Sequence, residues 1–404
     1  VKVGLITIGN ELLSGFTTDT NAAWIGQQIS KIGAEVIWHI TVPDSKEDIT
    51  QALISVPKDI HVLLITGGLG PTHDDITANV LYSWAGIKTE FDEEYWQDLE
   101  KRFATRNVTI PQINKNQALK PASGNMIPNP VGSARGIHIN KDGKEVIAMP
   151  GVPAEMKALM TDTVLPIIAE KITEPVHIHT FRTTGIMESS LAEKLEPVLM
   201  DSKVKLAFLP KIFGVDIRIS STDEHALSGL IDDIYNSVGK YIYSDDDLVL
   251  EEAVGKLLIS KNLTIASAES CTGGLIATRL TNVPGSSDYF IGGMTAYQNE
   301  VKLAEIGVQK ETLESHGAVS EETAVEMAKG IQSKLKADLG ISSTGIAGPG
   351  GGTEEKPVGL VYIALAHKDG VMSKKFNLTK DRMINKNLTS QAALNMIRIY
   401  LNRE

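Results

Sequence analysis

The stretch LTIASAESCTGGL, residues 263–275, runs from an apolar strand through a small polar turn into a glycine-opened helix. A strand–turn–helix of this kind is the unit of an α/β domain. It places Ser270, Cys271 and Thr272 at a helix N-terminus, with Gly273 and Gly274 in the turn. Backbone N–H groups there lack intrahelical partners and the dipole is positive, so the turn is expected to hold a phosphate or an oxyanion. The Ser270 hydroxyl is a candidate nucleophile, and Thr272, Gly273 and Gly274 are candidate substrate contacts. Helix capping by Ser270 and Thr272 would explain the turn by itself equally well.

Three later segments favour chemistry. AYQNEVK (296–302) places the Tyr297 phenol and the Lys302 amine five residues apart, near the end of an apolar strand. STGIAGPG (343–350) is a second strand-to-glycine turn, which makes Thr344, Gly345 and Gly348 candidate pocket residues. TKDR (379–382) opens the last helix with Arg382. A serine nucleophile needs a base, and no histidine stands in these motifs, so a lysine or tyrosine must serve. Burial would keep such a lysine neutral. An arginine facing glycine turns suits a phosphate-bearing substrate. Cys271 is the second candidate nucleophile, because a helix N-terminus lowers a thiol pKa.

The chain has 404 residues, enough for about two to three domains. One cysteine excludes an intrachain disulfide framework and paired-cysteine metal knuckles, and points to a reducing, cytoplasmic compartment. No signal-peptide pattern is read, and no apolar run is long enough for a bilayer. The net charge of −11, without a Lys/Arg cluster, argues against broad nucleic-acid binding.

Residues 1–172 alternate strand and helix signals, which predicts a doubly wound sheet with parallel strands. Residues 173–246 read as a small α+β segment ending in an acidic seam, Ser244-Asp245-Asp246-Asp247. Residues 247–404 resume the alternation as a second α/β domain. In the first segment three loops follow strands: GNELLSG with TDTN (9–15 and 18–21), TGGLGPTHDD (66–75) and MPGVPAEM (149–156). Ligands of α/β sheets bind at the carboxyl ends of strands. Gly67, Gly68, Gly70, Gly151, Asn21 and Glu155 are therefore candidate substrate contacts. Glu11, Asp19, Asp74 and Asp75 are candidate ligands for a hard divalent cation. Helix capping is the plain alternative for Asp19 and Asp74.

The motifs AESCTGG, AYQNEVK, HGAVSEE, STGIAGPGGGTEEKPVG and KDR together resemble the nicotinamide-nucleotide amidase domain of the competence/damage-inducible protein A (CinA) family. GGLGPTHDD and MPGVPAEM resemble the molybdopterin-binding MoaB/MogA-like fold, and with GNELLSG and DTN they match the N-terminal domain of the same family. The resemblance implies three domains: MoaB/MogA-like, KH-type and amidase. It implies deamidation of nicotinamide mononucleotide to nicotinate mononucleotide, with Ser270 as nucleophile, Lys302 as base, Tyr297 beside it and Arg382 on the substrate. It also implies hydrolysis of ADP-ribose to AMP and ribose 5-phosphate with Mg, Mn or Co in the first domain, no cofactor for the amidase, and a homodimer. Asn10 stands where many relatives have Asp. The middle segment lacks the GXXG clamp of nucleic-acid-binding KH domains, so a spacer and dimer contact is expected of it. A molybdopterin-handling protein and an accessory of DNA competence or repair are the competing readings.

Overall fold

The computed structural model describes residues 1–105, 107–199, 204–246 and 248–403. Asp247 and Glu404, the bounds of the third expected segment, lie outside the described residues. The chain divides into two units, Val1–His177 and Ile178–Glu404.

The first unit is built on six strands: β1 (Lys2–Ile8), β2 (Glu35–Val42), β3 (Val62–Thr66), β4 (Asn125–Ile127), β5 (Gly136–Lys141) and β6 (Lys144–Met149). Their spatial order is β2-β1-β3-β6-β5-β4. Strands β2, β1, β3 and β6 run parallel, β5 is antiparallel to β6, and β4 is antiparallel to β5. Side chains alternate across a strand. Accordingly Val3, Leu5, Val62 and Leu64 feed one apolar cluster, and Ile6, Ile8, Leu63 and Ile65 feed the other. Strands apolar at every position require cover on both faces. That cover comes from α1 (Thr20–Lys31) and α4 (Pro153–Leu159) on one side, and from α2 (Lys46–Ser55) and α3 (Thr77–Ala85) on the other. The sheet is thus doubly wound and MoaB-like, but mixed at one edge. The helical stretch that starts at Pro153 passes through a π-turn at Met160–Val164.

The second unit starts with a four-stranded sheet of β7 (His177–Thr183), β8 (Lys205–Lys211), β9 (Gly214–Ser221) and β10 (Ile242–Ser244), ordered β8-β9-β7-β10. Helices α5 (Glu188–Leu199) and α6 (Glu224–Val238) pack Leu191, Leu195, Leu230 and Ile234 against Phe181, Ile217 and Ile219. This is the KH-type module.

The rest of the unit holds α7 (Leu250–Ser260), β11 (Ile265–Glu269), α8 (Leu275–Thr281), β12 (Phe290–Thr295), α9 (Lys310–His316), α10 (Glu321–Leu335), β13 (Leu339–Gly345), β14 (Leu360–His367), β15 (Gly370–Asn377) and α11 (Arg382–Leu401). The sheet order is β12-β11-β13-β14-β15. Strand β11 is parallel to both neighbours, and the last two strands are antiparallel. Helices α7 and α11 cover one face through Val254, Leu258, Leu394 and Ile397. Helix α10 covers the other through Met327 and Ile331. Helix α11 also carries buried polar residues. Arg398 donates to the carbonyls of Ile242 and Lys240 at 2.9 and 2.7 Å, and Gln391 Nε2 donates to Thr184 Oγ1 at 3.1 Å. The KH-type module is therefore seated on α11 by hydrogen bonds. Among the described residues no helix is long and apolar enough to cross a membrane.

Candidate active site

Strands β11, β12 and β13 are parallel neighbours, so the loops after them share one edge of the sheet. Ser270 follows β11 and is 9% exposed. Its N–H donates to Ser343 O at 2.9 Å, and its carbonyl accepts from Gly273 N–H at 3.1 Å. Thr272 Oγ1 and Ser343 Oγ lie 2.6 Å apart in a buried hydroxyl pair. The Ser270 turn is thereby stitched to the end of β13, and Thr272 faces protein rather than ligand.

The expectation of an open helix N-terminus at this turn does not hold. Helix α8 begins only at Leu275, after Gly274 at φ 93°. The N–H groups of Ile276 and Ala277 donate to the Glu269 carboxylate at 3.0 and 2.8 Å. Glu269 is buried, and its charge satisfies these donors and offsets the dipole. Sequence reading missed Glu269, although it adjoins Ser270. A glutamate ending an apolar strand reads as a solvent-facing turn residue.

The thiol expectation is also overturned. Cys271 is 5% exposed, and burial pushes its pKa up to about 12, against the lowering read from the sequence. Desolvation outweighs the hydrogen bonds from Ser343 and from the turn's own backbone, which act to lower it. At mildly alkaline pH, iodoacetamide is expected to leave this single cysteine unmodified in the native protein and to alkylate it in urea. Intact mass reads the difference, and alkylation of the native protein at the unfolded rate would show an accessible thiolate.

Lys302 is 1% exposed, and its ammonium donates to Ala296 O at 2.9 Å and Tyr297 O at 3.0 Å. Burial pushes its pKa below the ordinary lysine value, opposed by the charges of Cys271 and Glu300. Its Nζ is held by carbonyls of the loop after β12, at the sheet edge that the Ser270 turn shares. Among the described residues no hydrogen bond joins Ser270 Oγ to Lys302 Nζ.

Arg382 brings two loops together. Its Nη2 donates to Tyr297 Oη at 3.0 Å and its Nη1 to Gly348 O at 2.9 Å. Asn385, fully buried one turn later, holds Ala347 O and Thr379 O, each at 2.9 Å. Thr344 Oγ1 donates to Ala318 O at 2.6 Å, and Lys356 Nζ donates to His316 O at 2.6 Å. These two bonds pin the HGAVSEE loop. Thr344 is thus committed to backbone, and Gly345 is paired with Val361 in the β13–β14 ladder. Neither is presented as a substrate contact.

In the first unit, Glu11, Gly67, Gly68, Gly70, Asp74 and Asp75 line a cavity of about 720 Å³ together with Gly151 and Glu155. Gly67 must be glycine, since φ is +113° and a Cβ would strike the Ile8 carbonyl. A smaller cavity of about 90 Å³ is lined by Glu11, Asp19, Asn21 and Gly151. Glu155 accepts from Asn129 Nδ2 at 2.6 Å, and Asn21 Nδ2 donates to Gly151 O at 2.7 Å.

The four acids read as one metal set are not gathered as one. Among the described residues no three His, Cys, Asp or Glu side chains stand close enough to hold a metal ion. Asp19 Oδ1 caps α1 through Ala22 N–H at 2.8 Å. Asp75 closes its own turn by accepting from Thr72 N–H at 2.8 Å. Two oxygens nevertheless remain buried without hydrogen-bond partners, Asp19 Oδ2 and Asn21 Oδ1. Asp44, at the end of β2, accepts from Asn10 N–H at 2.9 Å and lines the larger cavity. Burial, followed by the charges of Glu11, Asp74 and Asp75, pushes its carboxyl above the usual range. Sequence reading missed Asp44, because it follows Pro43 without a glycine loop.

Three family models match in order along the chain. These are "Probable molybdopterin binding domain" over residues 4–170, "Damage-inducible protein CinA KH domain" over 179–244, and "CinA C-terminal domain" over 247–401. The chain is 42% identical over 414 residues to a CinA-like protein of Chloroherpeton thalassium, covering 98% of this chain and 99% of that one. It is 39% identical over 404 residues to a CinA-like protein of Salinibacter ruber, covering 98% of both. A crystal structure of the competence/damage inducible protein CihA from Agrobacterium tumefaciens aligns at 40% identity and a TM-score of 0.36, over 38% of this chain and 97% of its own. With its three domains matched in that order and its relatives spanned from end to end, the chain belongs to the CinA family.

Proposed function

We propose that the chain is a hydrolase of pyridine nucleotides whose amidase site is centred on Ser270. Ser270 Oγ attacks the carboxamide carbon of nicotinamide mononucleotide while the Lys302 amine takes its proton. The C–N bond breaks, the proton passes to the leaving nitrogen, and ammonia departs from a nicotinoyl ester on Ser270. Water, deprotonated by the same amine, cleaves that ester and frees nicotinate mononucleotide. Tyr297 and Arg382 frame the mouth of the site.

The observation that carries this reading is the burial of Lys302. Lys302 is 1% exposed, and that burial favours its neutral form, which is the form a base needs, while the Ala296 and Tyr297 carbonyls fix the position of its Nζ. Incubating the purified chain with nicotinamide mononucleotide, and measuring ammonia with nicotinate mononucleotide, tests it. Absence of both products rejects the reading.

For the first unit we propose cleavage of ADP-ribose to AMP and ribose 5-phosphate across the two cavities, which share Glu11 and Gly151. The all-oxygen donors suit Mg, Mn or Co. Asp19 and Asn21 offer oxygens without hydrogen-bond partners, with His39 Nε2 3.9 Å from Asp19 Oδ2, and Glu11 adjoins them, a small protein set of the kind that substrate phosphates complete. When bound, such a cation neutralises charge developing on the pyrophosphate. EDTA is expected to abolish AMP release and to spare ammonia release. Undiminished AMP release after exhaustive chelation returns these carboxylates to capping and turn closure.

A further inference from the structure

Arg382 ties one N–H of each terminal nitrogen to the protein, on Gly348 O and Tyr297 Oη. One helical turn later on α11, Lys386 is half-buried, and its ammonium stands over the Ser270 turn. Its Nζ lies 3.4 Å from where a Cβ on Gly273 would be, and its Cε lies 4.0 Å from that point. Gly273 has φ +62°, so the turn both needs glycine and leaves open the space beneath the amine. Among the described residues Lys386 has no hydrogen bond or ion pair, whereas Lys302, the other lysine at this edge, is held by two carbonyls. The two first-turn N–H groups of α8 that could have met an anion are taken by Glu269.

We propose that Lys386 is the phosphate-recognising residue of this site, its ammonium receiving the 5′-phosphate of the mononucleotide above Gly273. The assignment rests on the amidase reading for the identity of the substrate. It divides the labour along α11: Arg382 clamps the Tyr297 and Gly348 loops, and Lys386 meets the ligand's charge. An ammonium is a point charge on a flexible stem, suited to a phosphate entering from solvent.

The test is binding of nicotinate mononucleotide and of nicotinate riboside, which lacks the phosphate, by calorimetry on the whole chain. Turnover of the two corresponding amides is measured alongside. Lys386→Met is expected to weaken mononucleotide binding about 10- to 100-fold, the range for a lost charged hydrogen bond. Riboside binding should stay at the wild-type level. KM for nicotinamide mononucleotide should rise with kcat little changed, and Lys386→Arg should recover most of the affinity. Lys386→Met binding the mononucleotide as wild type does, or losing both ligands equally, overturns the assignment. If the wild type binds the mononucleotide and releases no ammonia, the amidase reading fails while the same affinity comparison still decides Lys386. If the wild type binds no mononucleotide, both fail.

Discussion

Replacing Ser270 with alanine is expected to cut ammonia release from nicotinamide mononucleotide by roughly 10³-fold or more, with folding nearly intact. The loss is large because the proposed route runs through an ester on this oxygen, and no other nucleophile is placed to replace it. Cys271 next to it is buried with a thiol raised to about 12. The structural cost is small because the turn is held by the Ser270 backbone, N–H to Ser343 O and carbonyl from Gly273 N–H, both of which alanine keeps. Trimming one hydroxyl there should cost about 1 kcal/mol or less in urea unfolding. A folded Ser270→Ala protein of near-normal rate would remove Ser270 from the mechanism.

Lys302→Met is expected to lower kcat by roughly 10²- to 10⁴-fold, the usual contribution of a positioned base, with a smaller change in KM. A neutral, similarly long side chain fills the cavity without needing the two carbonyls of Ala296 and Tyr297. The pH dependence follows from the direction of the Lys302 shift. Burial lowers the folded-state value below 10.5, so the active neutral amine appears at a lower pH than for an exposed lysine. The wild-type rate should rise with pH and level off below the ordinary lysine range. Between the folded-state value and 10.5 the unfolded chain binds more protons than the native one, so this group's contribution to stability grows as pH rises through that window. Below it, the buried ammonium is a constant burden that Lys302→Met removes. A rate profile in Lys302→Met that matches wild type in height and shape would exclude the lysine as base.

The fold was legible where burial leaves a period in the sequence. Val62 to Ile65 of β3 are all apolar, which predicted a strand covered on both faces, and Val62 to Thr66 are indeed all buried. The small middle domain was legible from the alternation in β7 and the amphipathic stripe of α5. Short elements were not: β4 has three residues and β10 three, too few for any period. Strand direction was also hidden, since the alternation read over residues 247–404 carries no sign of the antiparallel return of β14 and β15, which is set by pairing.

For the candidate site, sequence order exposed what lies within a motif but not what crosses between motifs. Ser270, Lys302 and Arg382 stand in recognisable segments, and the Tyr297–Arg382–Gly348 bridge is a meeting of three of them. Asp44 and Glu269 were invisible because a carboxylate's burial is a tertiary fact. Helical spacing from Arg382 would have pointed to Lys386. The acids Asp19 and Asp75 were legible as types, but their local bonds to Ala22 and Thr72 show how short-range geometry competes for the same oxygens.

The buried Glu269 has a genetic consequence. An anion site made of backbone N–H groups belongs to a fold and survives almost any codon change, because every residue carries the same donor. Here two such donors at α8 are withdrawn by a side chain. With those two donors withdrawn, more of the negative charge that a ligand brings to this turn is met by residues encoded one codon at a time. Ligand preference at this edge can therefore drift through single substitutions on α11 while the sheet and the Ser270 turn stay unchanged.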